Sequence, residues 1–285
     1  MSVAADQARI RGLGRLEATY IWYAWTIAIL LAICGAEVPG RWAWFAAHLA
    51  VVVPAVLLSR AHLAWRFLAA CILTPTAFST LGVILPDLVP EAVHWGIARL
   101  DEQVGGGVVR AAVVGVSPLL VEVSQVAYAT FYFLPIVLGV ALLLQRRRDA
   151  ALQVAELAVG GLLLSYLGYL VFPALPPYRF LDYAEPLAGL ATFEFLHGLL
   201  YDLEALREDC MPSGHTMVTL LVVFSAWRFD KRQLLWLLPL ALPLVFATIA
   251  LRYHWWVDLV AALPFAALAL LLFSRQVDDP TPVQA

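Results

Sequence analysis

In Leu251-Arg252-Tyr253-His254-Trp255-Trp256-Val257-Asp258 a histidine and an aspartate stand four residues apart at the start of an apolar run. On a helix their side chains share one face, about a turn apart. A carboxylate so placed fixes one imidazole tautomer and favours the cation that forms when the other ring nitrogen attacks or takes a proton. A nucleophile or general base needs this pairing. Taken alone, the pair serves equally well as a buried contact that locks two helices together.

A second segment, Cys210-Met211-Pro212-Ser213-Gly214-His215-Thr216, precedes another apolar run. Ser213 suits a helix cap, and Gly214 permits close approach by backbone or ligand. The unpaired amides and dipole of a helix N-terminus bind phosphate well. His215 would stand beside the bound anion, placed to protonate a leaving oxygen. A third segment, Phe172-Pro173-Ala174-Leu175-Pro176-Pro177-Tyr178-Arg179-Phe180, is a rigid Pro-rich turn carrying Arg179. Arg179 and Arg252 could grip phosphate oxygens in a fork that lysine does not reproduce. Each arginine also fits simple snorkelling at a membrane interface.

The elements that must position these residues are apolar. The chain has 285 residues, 62% hydrophobic and only 14% charged, with net charge −3 and mean hydropathy +0.83; the solvent for most of it is lipid. About 20 mainly apolar residues cross a bilayer core, and runs of that kind lie near 18–36, 43–59, 64–85, 119–144, 151–172, 214–228, 233–251 and 254–273. The expected fold is therefore all-α, a polytopic transmembrane bundle of about eight helices. Residues 1–62 supply two N-terminal helices, 63–274 a six-helix catalytic core and 275–285 a short tail. The third run, with Thr74, Pro75, Thr76, Ser79 and Thr80, is the least lipid-like. The first run follows Arg9, Arg11 and Arg15 and ends near Cys34-Gly35-Ala36; Ile33 before Cys34 argues for an uncleaved helix over a lipoprotein signal. Cys34, Cys71 and Cys210 are too scattered for a disulfide framework or a CxxC metal site.

Placing the N-terminus in the cytoplasm puts twelve of the 18 basic residues inside, among them Arg146, Arg147, Arg148, Arg228, Lys231, Arg232 and Arg275. Orientation follows this bias. Both termini are predicted inside, and 86–118, 173–213 and the turn at Arg252 outside, where all three motifs fall. The triple arginine reads as a topological anchor. Residues 186–206, with Leu190, Phe193, Leu196, Leu199, Leu200 and Leu203 spaced against Glu194, Asp202 and Glu204, predict an amphipathic surface helix beside the site. His197 on it reads as interfacial, and 88–105 as a second surface helix. No nucleotide-binding loop or internal repeat is present, and nothing points to a nucleic-acid partner.

At these motifs the chain resembles the type 2 phosphatidic acid phosphatase superfamily, and in particular its inositolphosphorylceramide-synthase-like branch. The resemblance covers roughly 120–274 and rests on Pro-Ser-Gly-His at 212–215, His-x-x-x-Asp at 254–258 and Pro-x-x-Pro-Pro-x-Arg at 173–179, in the family's order. It implies a reaction that needs neither metal nor cofactor, and the charge bias places it at the outer face of the cell membrane. His254 would attack the phosphorus of a lipid phosphate, Asp258 would orient it and His215 would protonate the leaving group. The phosphohistidine then passes to water or to an acceptor alcohol. The chain departs from the broad pattern in two places. Thr248 stands where an arginine precedes the nucleophile by six residues, and the first motif lacks its lysine, so the full three-residue clamp does not carry over.

Three other readings use the same residues. A metallohydrolase would take His215, His254 and Asp258 as zinc ligands. A serine hydrolase would activate Ser213 through His254 and Asp258, although no Gly-x-Ser-x-Gly elbow is present. A non-enzymatic protein would bind or transport a lipid headgroup through the outer polar cluster.

Overall fold

The computed structural model describes residues 13–87, 92–203 and 208–277; Arg9, Arg11, Glu204 and the tail beyond 277 lie outside them. Every regular element among the described residues is a helix, apart from one isolated bridge between Ala174 and Asp209. Contacts divide the chain into two compact units, Met1–Leu88 and Val89–Ala285.

The first unit holds α1 (Arg15–Cys34), α2 (Arg41–Ala50), α3 (Val52–Ser59) and α4 (Leu63–Ile84). Glu17 in the first turn of α1 is buried and accepts two hydrogen bonds from Arg66 of α4, at 2.6 and 2.8 Å, so neither charge is left alone in an apolar setting. The polar third run forms one continuous helix despite Pro75. Its hydroxyls find partners: Thr76 and Thr80 donate to Ile72 and Ala77 carbonyls, and Thr74 meets the Tyr20 hydroxyl at 2.6 Å.

The second unit runs α5 (Ala92–Gln103), α6 (Gly106–Ala112), α7 (Pro118–Ala129), α8 (Leu134–Leu144), α9 (Arg148–Val171), α10 (Pro177–Phe180), α11 (Ala191–Leu203), α12 (Gly214–Phe229), α13 (Leu234–Ala250) and α14 (Trp256–Phe273). Six helices of the described chain are long and apolar enough to cross a membrane, and α7 with α8, bent by 52° between them, make a seventh. The remaining run of the sequence is α12, whose 16 residues reach about 24 Å at 1.5 Å each. The protein is an all-α polytopic helix bundle. Leu144, Leu235 and Leu271 are each more than 80% exposed on its outside, an arrangement suited to lipid rather than water.

Helix α9 is the most buried of the long helices and the axis of this unit. Leu157 and Leu164 on it pack with Met217 and Leu221 of α12 and Ala262, Ala266 and Ala269 of α14. The two ends of α9 differ in kind. At its start Arg147 bonds the Phe229 carbonyl, and Arg275 bonds Glu156 at 3.1 Å and Gln153 at 2.8 Å. At its other end lie the Pro-rich segment, the start of α12 and the turn between α13 and α14. The basic loops and the three motifs therefore occupy opposite ends of the unit.

Small residues on α9 set how closely its neighbours approach. A side chain at Gly168 would stand 2.3 Å from Pro212 Cδ and 3.3 Å from Phe265 Cε1. Overpacking of this kind costs about 1–3 kcal/mol. Gly168→Ala is expected to lower the thermal midpoint of the detergent-solubilised protein and to weaken turnover by shifting Pro212-Ser213-Gly214-His215. An unchanged midpoint and rate would show that this glycine does not set the approach of α12.

Candidate active site

The turn that carries His254 is built by α13. Its last carbonyls close the chain on itself: Thr248 O accepts from both Tyr253 N–H and His254 N–H at 3.0 Å, and Ile249 O from Arg252 N–H at 2.9 Å. This requires Arg252 to adopt φ 62°, the left-handed region that L residues other than glycine, asparagine and aspartate seldom occupy. Thr248, fully buried, thus acts on His254 through its backbone carbonyl.

Helix α14 begins two residues later. Asp258 sits in its first turn with no exposed surface, and Oδ2 accepts the Trp255 N–H at 2.7 Å, the reach-back that stabilises a helix start. The same oxygen lies 3.4 Å from His254 Nδ1, within ion-pair range but short of a formed hydrogen bond, so Nδ1 and Asp258 Oδ1 are both left without hydrogen-bond partners. On its other side the His254 ring presents Nε2 to His215 Nδ1 at 3.3 Å. His215 is held in turn by aromatic rings: Tyr128 stacks on it at 4.3 Å, with its hydroxyl 3.4 Å from Nδ1, and Phe131 lies at 4.2 Å.

Backbone bonds tie the two motifs together. Ser213 N–H donates to the Asp258 carbonyl at 3.1 Å, and Ser213 Oγ caps α12 by accepting from Thr216 N–H at 3.2 Å. Gly214 is buried against α9, where an added side chain would meet Tyr169 Oη at 2.9 Å. The Pro-rich segment is fixed by Trp255, whose indole N–H donates to Leu175 O at 2.7 Å, while Leu175 N–H donates to His94 Nδ1 at 3.2 Å.

Two further residues hold the start of α14. Asp101 on α5 is fully buried, accepts Val257 N–H at 2.9 Å and pairs with Arg110 of α6. Burial pushes the Asp101 carboxyl up, against the opposing pull of that amide and of Arg110. Arg110 also bonds Glu102 and lies 5.3 Å from the Trp255 ring.

His254 borders two clefts. The larger, about 520 Å³ and open to the surface, is lined with Tyr128, Tyr178, Tyr201, Tyr253, Arg179, His197 and Asp209 among others. The smaller, about 250 Å³, includes Arg110, Tyr183 and Arg252. The two arginines named by sequence therefore flank His254 in different clefts. Arg179 donates to Tyr178 Oη at 2.9 Å and lies 4.7 Å over the Tyr201 ring, whereas Arg252 donates to the Glu185 carbonyl at 3.0 Å and lies 3.9 Å over Tyr183. His197, read as interfacial from the sequence, faces the larger cleft; its Nδ1 is 2.6 Å from the Tyr253 hydroxyl. Burial, reinforced by Arg179, lowers its pKa and favours the neutral ring.

The sequence puts Asp101, Arg110 and His197 on the outer segments, but no spacing carries their contacts with Val257, Trp255 and Tyr253. Asp209 had a weak signal, three residues before Pro212. Among the described residues Cys210, His254 and Asp258 bring one ligand atom each within 4.8 Å of one another, a thiol, imidazole and carboxylate set of the type that zinc accepts. It differs from the His215, His254 and Asp258 set that the sequence suggested.

A family profile described as the PAP2 superfamily matches residues 95–272, well over half of the chain. No curated protein and no solved structure matches it. The match spans all three motifs and both histidines that the fold brings face to face, and the chain belongs to the PAP2 superfamily, whose members are phosphatases and related phosphotransferases.

Proposed function

We propose that this protein is a membrane lipid phosphatase that hydrolyses a phosphomonoester or diphosphate of a lipid at the outer membrane face through a phosphohistidine on His254. The observation that carries the reading is the alignment of three side chains. One nitrogen of His254 faces a buried carboxylate at 3.4 Å and the other faces a second histidine at 3.3 Å. With its proton on Nδ1, directed at Asp258, the His254 ring has its lone pair on Nε2, the atom aimed at the reacting group.

A phosphoryl group does not fit between nitrogens 3.3 Å apart, so substrate binding separates the two rings. Nε2 then attacks phosphorus, the P–O bond to the lipid alcohol breaks, and His215 supplies the proton to the departing oxygen. Positive charge developing on His254 is stabilised by Asp258. Arg179 and Arg252 neutralise phosphate charge from either side, and the amides at the start of α12, beside Ser213 and Gly214, favour an anion there. Ser213 Oγ is engaged as a cap, which supports a nucleophile on nitrogen rather than on this hydroxyl.

The location rests on charge. The arginine-rich end, with Arg146, Arg147, Arg148, Arg228 and Arg275, is opposite the site, and basic loops stay in the cytoplasm. The site then faces outward, with both termini inside. A second reading, transfer of a phosphorylated headgroup to an alcohol as in the inositolphosphorylceramide-synthase-like branch, is supported by the two clefts that His254 borders, which would hold donor and acceptor apart.

Purified protein in detergent, with EDTA present, is expected to release phosphate from at least one member of a panel of lipid phosphates and diphosphates, and His254→Ala is expected to abolish that release while leaving the fold intact. Retention of more than about a tenth of the rate would rule out His254 as the nucleophile, since positioned nucleophilic and acid–base groups contribute at least about 100-fold. Asp258→Asn preserves shape and removes charge. It should cut kcat by about 100-fold or more while lipid binding changes little; equal losses in both would mark the pair as structural.

A further inference from the structure

The larger cleft contains a carboxylate that neither the motifs nor the mechanism above uses. Asp209 is half-buried and is the one acidic side chain among the described residues lining that cleft, where it shares the wall with His254, Arg179, His197 and the tyrosines. Its backbone position is fixed from two sides. It forms the isolated bridge with Ala174, so the Pro-rich segment that carries Arg179 is joined to the strand of chain leading into Pro212. Its neighbour Cys210 donates from Sγ to the Tyr253 carbonyl at 3.4 Å, tying the same stretch to the residue before His254. The Pro-rich segment, the stretch leading into Pro212 and the turn at Tyr253 thus hold this carboxylate in the cleft that His254 borders.

A carboxylate in a cleft meant for phosphate repels the substrate, and a site that only gripped phosphate would gain from its absence. Its presence has a use in the second half of a double displacement. Once the lipid alcohol has left, an O–H nucleophile must attack the phosphohistidine, and its proton needs an acceptor. His215, packed against Tyr128 and Phe131 with Nδ1 3.3 Å from His254 Nε2, is not among the residues lining this cleft and in the mechanism above serves the leaving group.

We propose that Asp209 is the general base of the dephosphorylation step, taking the proton of the incoming hydroxyl. In this step the oxygen of water or of an alcohol bonds to phosphorus, the P–N bond breaks with its electron pair returning to His254 Nε2, and the O–H proton passes to an Asp209 oxygen, which later returns it to solvent. The inference rests on the phosphohistidine reading. Burial pushes the Asp209 carboxyl up to about 6, against the lowering effect of His254, so the group is a base at neutral pH and not far from its best strength for proton transfer. The charged and titratable groups facing it are His254, Glu208 and Asp258 and Tyr169 of α9, with Arg179, His197 and the tyrosine hydroxyls across the cleft. The sign is that of an acceptor: the base form is lost as pH falls through about 6.

The test uses full-length protein in detergent with EDTA, 32P-labelled phosphatidic acid as the probe and an alkaline quench, which preserves phosphohistidine. Wild type, Asp209→Asn and His254→Ala are compared for the burst of diacylglycerol and for label retained on the chain. Asp209→Asn is expected to keep the burst within about two-fold and to slow loss of label about 100-fold, so that phosphoenzyme accumulates; Asp209→Glu should restore part of the rate. Added glycerol separates the two sources of hydroxyl, since label leaves as inorganic phosphate with water and as glycerol phosphate with the alcohol, and slowing of either supports the assignment. In wild type, label should persist longer below pH ~6, a dependence absent from Asp209→Asn. Equal label lifetimes in wild type and Asp209→Asn, with no such pH dependence, would overturn Asp209 alone and return the step to His215. No label on any variant, with turnover intact, would overturn the phosphohistidine and the base together.

Discussion

The constraint on which this end of the protein depends is a carboxylate with no access to water. Burying an ionised group costs several kcal/mol unless it is paired and hydrogen-bonded, and Asp258 is fully buried. Its surroundings are arranged accordingly: the Trp255 amide on Oδ2, the His254 ring beside it and the positive end of the α14 dipole. To keep these partners in place the chain accepts a left-handed Arg252 and gives both Tyr253 and His254 amides to one carbonyl at Thr248. In the proposed mechanism this costly helix start serves to make one imidazole nitrogen more nucleophilic.

The second layer holds that first turn from outside. Asp101 takes the Val257 amide and is paired with Arg110, and Trp255 is buried beneath Phe180 with its indole N–H on the Leu175 carbonyl. The Pro-rich segment, the surface helix α5 and the His254 turn are therefore tied together. Residues on the far side of the larger cleft are fixed similarly. Glu122 of α7 accepts the Leu190, Thr192 and Phe193 amides and so caps α11, which delivers His197 to Tyr253. The first turns of α12 and α14 are joined by the Ser213 to Asp258 backbone bond, which sets the His215 and His254 rings face to face.

Much of this was legible in the sequence. Periodic apolar runs gave the helices, because lipid imposes length and composition on a span, and local spacing gave His254 with Asp258 and Ser213 as a cap. The third run reads as marginal because its hydroxyls look unsatisfied one by one; the structure pairs Thr74 with Tyr20, a residue 54 positions away. The same limit hid the second layer. Asp101 and Val257 are 156 residues apart, and no local pattern encodes that contact. Arg179 and Arg252 lie in separate clefts that His254 borders; that division depends on Tyr178, Tyr201 and Tyr183 and on the fold of the Pro-rich turn, which spacing does not carry. Gly214, suited in sequence to close approach by backbone or ligand, packs against α9, where an added side chain would meet Tyr169 Oη at 2.9 Å.

The central claim is a covalent bond between phosphorus and His254. The most direct measurement is peptide mass spectrometry of the protein quenched in alkali during turnover of a lipid phosphate in EDTA, with fragmentation that locates the added phosphoryl group. The group is expected on His254, and is expected to be absent from that residue in Asp258→Asn under the same conditions. A phosphoryl group on Ser213, or an unmodified chain in a reaction that stops when EDTA is added, would contradict it.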